Sequence, residues 1–203
     1  EYLAYRVLSG GSPIQAGGDP VYTQSLYLLN LSQGGDPLEI PLKNQDATRN
    51  TAESIAWSND GTLMYALITT QTPRQADPQW STLIFERGAW DTPLTVPLDP
   101  PDYAMGRSLF AIDEGVVMWD SGIQSPLFQF EVFNTTGEPL NTFSIGWDDV
   151  SPDVNLYTNI PLNPLVTPDG LRFGLNNFFT SELILQADFL TGEIAPPESG
   201  AFA

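Results

Sequence analysis

The sequence contains no histidine and no cysteine among its 203 residues. A Ser-His-Asp triad, a thiolate nucleophile, a disulfide and a zinc site of the usual nitrogen and sulfur ligands are therefore all excluded. Lys43 is the sole lysine, set in a polar "PLKNQD" stretch that reads as a solvated loop rather than a Schiff-base or general-base site. Basic residues of any kind are scarce. Seven stand against 25 acidic ones, for a net charge of −18, and a surface this negative repels phosphate backbones and anionic membranes. Nucleic acid is thus not an expected partner. No apolar run approaches the roughly 18 residues that a spanning helix needs, so no transmembrane segment is expected in this chain.

What is present is ordinary globular material, 41% hydrophobic and 11% aromatic, and it repeats. "IAWSNDGTLMYAL" (55–67), "LFAIDEGVVMW" (109–119) and "PLVTPDGLRFGL" (163–174) each read as apolar strand, acidic turn ending in glycine, apolar strand. Their glycines, at positions 61, 115 and 170, are separated by steps of 54 and 55. A second hairpin motif alternates with the first: "LYLLNLSQGGDPLEIPL", "TLIFERGAWDTPLTVPL", "LFQFEVFNTTGEPLNTFSI" and "LILQADFLTGEIAPP". Its marker glycines at 35, 88, 137 and 192 are separated by 53, 49 and 55 residues. Two interleaved series with one spacing define a repeat of about fifty residues.

The runs are short, rich in Leu, Ile, Val, Phe and Tyr, and bounded every 8 to 12 residues by Gly, Pro, Asn and Asp, as strands are. "FQFEVF" alternates with period two, placing Phe128, Phe130 and Val132 on one face. Eighteen prolines and 17 glycines argue against long helices. Two hairpins per repeat make a four-stranded antiparallel unit, the size of a β-propeller blade. The expected fold is all-β, a β-propeller-like array of about three and a half to four such blades. The chain reads as one domain or segment over 1–203, in units 1–50, 51–100, 101–147 and 148–203.

"AWSNDG" and "VTPDG", each followed by an apolar strand and a "LYLLNLSQGG"-like hairpin, resemble the blades of TolB-type and WD-repeat-like propellers. Their usual signature is an apolar residue, a variable one and then Trp-Ser-Pro-Asp-Gly. Residue 59 is Asn where that signature has Pro, and the "IDEG" copy lacks Trp and Ser. The resemblance implies that the turn aspartates cap backbone N–H groups while the glycine takes a positive φ. Asp60 with Gly61, Asp113 with Gly115, and Asp169 with Gly170 are accordingly expected to be structural turns, and Trp57 a packing residue. No catalytic residue carries over from the family.

The first repeat is incomplete. "YLAYRVLSGG" aligns with "TLMYALITTQ", Tyr5 matching Tyr65, and the Trp-Ser-Pro-Asp-Gly half that should precede it is missing. The fragmentary blade would leave an open edge strand, which exposes unpaired N–H and C=O groups. Three resolutions are open: a segment of a longer propeller, strand exchange within a small ring, or pairing of the edge with another subunit. Long polar insertions at 10–24, 70–80 and 146–164 are the natural loops for recognition.

Candidate sites are few. Asp148, Asp149 and Asp153 gather oxygens on one loop and are the candidate calcium ligands, calcium being the only cofactor considered. Trp80, Trp90 and Trp147 lie at loop edges and are the candidate partner or ligand contacts. Asn30 and Asn134 head the two glycosylation sequons, relevant only in a secretory setting. The chain is expected to be non-catalytic, an extracytoplasmic module for protein–protein interaction or scaffolding, possible as one subunit of a larger assembly. The alternative is a carbohydrate-binding propeller or a carboxylate-dependent glycosidase, whose two acids would stand about 5 to 9 Å apart.

Overall fold

The computed structural model describes residues 1–10, 22–40, 42, 49–71, 77–99, 104–122, 128–146, 149, 162–166, 172–177 and 183–196. The chain is all-β, and its fold is a β-propeller-like set of antiparallel blades, with no helix among the described residues. The first sheet has three strands, β1 (Tyr2–Gly10), β2 (Tyr22–Asn30) and β3 (Leu38–Ile40). The second has four, β4 (Arg49–Trp57), β5 (Leu63–Gln71), β6 (Gln79–Glu86) and β7 (Leu94–Leu98). A third sheet contains β8 (Ala104–Ile112), β9 (Gly115–Gly122), β10 (Phe128–Asn134) and β11 (Pro139–Ile145). The fourth contains β12 (Leu162–Val166), β13 (Arg172–Asn177), β14 (Leu183–Asp188) and β15 (Ile194–Ala195).

Within each sheet, spatial order follows chain order, so every connection is a hairpin. The three-stranded first sheet and the three complete ones correspond to the count of three and a half repeats. Two compact units emerge, Glu1–Pro100 and Pro101–Ala203, each holding two consecutive sheets.

Strand ends give the equivalence between sheets. Tyr2, the first residue of β1, pairs with Asn30, the last of β2; Leu63, the first of β5, pairs with Glu86, the last of β6. On this register Ala4 corresponds to Tyr65 and Tyr5 to Ala66. The sequence alignment of Tyr5 with Tyr65 is therefore off by one. Because side chains alternate across a strand, the slip exchanges the two faces of the sheet.

With the register set, both units pack alike. In the first unit, Ala4, Leu26 and Leu28 of the first sheet meet Met64, Ala66, Ile68 and Phe85 of the second. In the second unit, Val117, Phe130 and Val132 of the third sheet meet Phe173, Leu185 and Ala187 of the fourth. Since β9 starts at Gly115 paired with Asn134, Val117 and Val132 are the counterparts of Tyr65 and Ile84. In each unit the later sheet thus lays its Met64-type face on the Tyr65-type face of the earlier one. Complete burial of an aliphatic or aromatic side chain contributes about 1.5–3 kcal/mol, so these seams dominate each unit's stability.

The seams differ in chemistry. The second unit's is aromatic: Phe130 stacks on Phe143 at 4.7 Å and meets Phe173 edge-on at 4.8 Å, with Trp119 stacked on Phe128 at 5.4 Å. Behind it, Arg107 of β8 and Asp120 of β9 form a buried two-pronged ion pair at 2.5 and 2.8 Å. Two desolvated charges are tolerated there because each completes the other's hydrogen bonding.

Candidate functional site

The opening question for any site in this chain is whether its turn acids are available for chemistry. Asp60 is not idle: its Oδ1 accepts hydrogen bonds from the Thr62 backbone N–H (3.0 Å), the Thr62 hydroxyl (2.8 Å) and the Ser58 hydroxyl (2.7 Å). The Thr62 N–H foremost, then the Ser58 and Thr62 hydroxyls, hold the Asp60 carboxyl below its usual range. Ser58 Oγ in turn accepts from the Leu63 N–H at 2.9 Å, and the Gly61 N–H donates to the Ser58 carbonyl at 2.9 Å. Gly61 has φ +68°, a left-handed backbone that side chains with a Cβ resist. The Ser58, Asp60 and Thr62 side chains are thereby used in closing β4 onto β5.

The turn at Asp113 and Gly115 is built on a different constraint. A Cβ on Gly115 would lie 2.0 Å from the Phe133 carbonyl oxygen, so this glycine is fixed by the approach of β10. Asp113 is exposed beside it. Asp169 and Gly170 lie outside the described residues, as do Asp148, Asp153 and Trp147. Asp149 is described: its Oδ2 accepts the Gly146 N–H at 2.8 Å, a local turn contact. Of the sequon residues, Asn134 uses its Oδ1 for the Thr136 and Glu138 N–H groups, both at 2.9 Å. Asn30 Oδ1 likewise accepts from the N–H groups of Ser32 and Gln33.

Of the candidate contact tryptophans, Trp80 and Trp90 are not brought together. Trp80 is the second residue of β6, opposite Thr69 and Leu98, whereas Trp90 lies beyond the other end of the same strand. Trp90 is half-buried, edge-on to Trp57 at 6.0 Å and to Tyr2 at 5.5 Å. Tyr2 also stacks on Trp57 at 6.4 Å and carries the Arg87 guanidinium over its ring at 5.3 Å. This cluster closes one end of the first unit's seam.

What the structure does assemble is the outer face of the first sheet. Leu3 and Leu29, Tyr5 and Tyr27, and Val7 and Ser25 are cross-strand partners. Leu3 is 48% exposed and Val7 39%, and the Tyr5 and Tyr27 rings stack at 5.6 Å. Their counterparts in the second sheet, Met64, Ala66, Ile68 and Phe85, are at most 3% exposed, covered by the first sheet itself. Among the described residues of the first unit, no sheet packs on this face of the first sheet. Nor, among the described residues, does any strand pair with the free side of β1, where β4 pairs with β5 in the second sheet. Arg6 spans toward that neighbour instead, its guanidinium donating to the carbonyls of Ala52 and Glu53. Those carbonyls lie where β4 bulges at Glu53, the residue its register with β5 skips.

Sequence reasoning reached the open edge but missed three features. One is the Arg107–Asp120 pair, whose members stand five residues on either side of the Ile112–Gly115 closing pair. That symmetry about a turn was the available signal. Another is the coverage of Trp90 by Trp57 and Tyr2. The third is Gln186, on β14, which is 5% exposed with no hydrogen-bond partner for its Oε1.

No family model and no curated protein matches the sequence. Among solved structures, the chain is similar to TolB from Acinetobacter baumannii at 14% identity and TM-score 0.44, over 88% of this chain and 39% of that one. It is also similar to the periplasmic gluconolactonase PpgL of Pseudomonas aeruginosa at 12% identity and TM-score 0.37, over 95% of this chain and 66% of that one. The chain spans about two fifths of the first and just under two thirds of the second. No helix among the described residues is long and apolar enough to cross a membrane.

Proposed function

We propose that this chain is a non-catalytic, TolB-like β-propeller module for protein–protein interaction, acting as part of a larger extracytoplasmic assembly. Its principal contact is the first sheet. The observation that carries the reading is the contrast at equivalent positions: Leu3 and Val7 are exposed where Met64 and Ile68 are covered, on a sheet of three described strands. An open edge offers main-chain hydrogen bonds, and the apolar face beside it offers side-chain pockets, which is how strand addition gains both affinity and selectivity. The occupant is an extended strand of a partner protein with apolar residues at alternate positions. A chain with net charge −18 selects a neutral or basic partner over an acidic one.

The strand that fills the equivalent place in the second sheet supplies a probe. A synthetic peptide of residues 49–58, RNTAESIAWS, is expected to bind the intact protein saturably and to slow hydrogen exchange along β1. Ala4→Pro, which removes an N–H directed away from β2 at the open edge, is expected to abolish both effects. Absence of binding, or binding indifferent to Ala4→Pro, contradicts the reading. The extracytoplasmic placement is tested separately, by fractionation of cells expressing the full-length gene product.

A further inference from the structure

The outer face of the first sheet is not apolar throughout. Tyr5, Tyr27 and Glu39 stand in one cross-strand row over β1, β2 and β3. On the register already set, Tyr27 with Glu39 corresponds to Leu83 with Thr95 in the second sheet and to Glu131 with Thr142 in the third. A carboxylate therefore stands on the outer strand where both other sheets carry threonine. A cover matching this face by apolar contact alone would strip water from Glu39 and leave its charge unpaired, which is costly.

The carboxylate is also held in a defined place. The Ser25 hydroxyl of β2 donates to Glu39 Oε1 at 2.8 Å, drawing the carboxylate inward from β3. Glu39 is exposed, and this is its one hydrogen bond among the described residues, from a neutral donor. A carboxylate has sites for about four. No Lys or Arg occupies this face of β1, β2 or β3. Arg6 belongs to the opposite face, where it donates to the carbonyls of Ala52 and Glu53.

We propose that the partner strand added at β1 carries an arginine opposite Val7, whose guanidinium reaches across the sheet to Glu39; this rests on the strand-addition reading above. Val7 is the position that points at the carboxylate, because its partner on β2 is Ser25. An added strand would lie two strand spacings, about 10 Å, from β2. The terminal nitrogens of an extended arginine stand about 7 Å from its Cα, and a hydrogen bond spans about 3 Å more. Lysine, one bond shorter, falls about 1 Å short. The arginine stem crosses Val7, which is 39% exposed. Its planar head has the Tyr5 and Tyr27 rings beside it, stacked at 5.6 Å.

In the second sheet the residue opposite Ile68, the counterpart of Val7, is Ala52. The 49–58 peptide carrying Ala52→Arg therefore tests the assignment against the parent peptide, by calorimetric titration into the intact protein. Ala52→Arg is expected to tighten binding by at least about fivefold, and Ala52→Met, of similar length without charge, by less than about twofold. With Glu39→Gln in the protein, the ratio of the Arg-peptide affinity to the parent affinity is expected to fall to about one. Glu39 is exposed, so this variant keeps the fold. General attraction to a chain of net charge −18 would survive, since Glu39 is one of 25 acids. Parent binding without a gain from Ala52→Arg, an equal gain from Ala52→Met, or a gain that survives Glu39→Gln overturns the arginine assignment and leaves strand addition standing. Failure of every peptide to bind overturns both, as does a dimer of this chain that the peptides do not dissociate in sedimentation.

Discussion

The first and second sheets carry the same face in two conditions. In the second, Met64, Ala66, Ile68 and Phe85 lie under another sheet; in the first, Leu3, Tyr5, Val7 and Leu29 occupy the same register positions with no sheet of the first unit over them among the described residues. Burial here is set by position in the stack as well as by residue type. An exposed face of this apolar composition is adhesive.

Substitution at equivalent positions measures that difference. Met64→Ala is expected to cost about 2–5 kcal/mol in chemical denaturation, through lost burial and the cavity left behind. Leu3→Ala, at the same position one sheet earlier, is expected to change stability by less than about 0.5 kcal/mol in the isolated chain. Equal costs at the two sites would mean that the first sheet is covered after all.

A second contrast lies in the turns. Gly115→Ala forces a Cβ against the Phe133 carbonyl oxygen, which belongs to the backbone and has little room to yield. A cost near the top of the ordinary range, about 3 kcal/mol, is expected. Gly61→Ala meets no atom within 4 Å and suffers only its φ of +68°, for about 1–2 kcal/mol. Thermal denaturation of the two variants side by side would expose a reversed order.

Tyr65 lies on the other face of the second sheet, fully buried, with no partner for its hydroxyl. Burial, with a smaller push from the Asp60 charge, raises its phenol to about 12. Between the unfolded value near 10 and that figure, the unfolded chain has lost a proton that the folded one keeps. Stability therefore falls as pH rises through this window, by up to about 1.4 kcal/mol per unit. Tyr65→Phe is expected to remove that alkaline slope and to leave stability at neutral pH unchanged or higher. A slope that survives the substitution would assign the titration to another group.

The smallest effect is expected at Asp60. Its lowered carboxyl contributes stability that is fully present above the unfolded pKa near 4 and is lost as pH falls through the depressed folded value. Asp60→Ala is expected to flatten the acid limb slightly, as read by denaturation at pH 3 to 5, without changing the fold.

The strands and their hairpin order were legible in the sequence, because short apolar runs and glycine-bearing turns are local signals. Gly35, Gly88, Gly137 and Gly192, chosen as markers of period, all have positive φ. Register was less legible. Matching Tyr5 to Tyr65 on side-chain identity shifted the first sheet by one residue and reversed its faces, since alternation makes neighbours in sequence strangers in space. The same limit hid Gln186: "LILQAD" is an unremarkable half-polar strand until its pairing with Gly174 places the amide on the face that is apolar elsewhere. Trp90 stands in a loop by sequence, and only the folded unit shows Trp57 and Tyr2 against it. Asp148, Asp153 and Trp147 belong to stretches outside the described residues.

Native-state amide hydrogen exchange of the isolated chain tests the central claim most directly, by comparing β1 with β5, its counterpart in the second sheet. An open edge predicts that the β1 amides directed away from β2 exchange orders of magnitude faster than any amide of β5, which is paired on both sides. Protection of those β1 amides equal to that of β5 would contradict it.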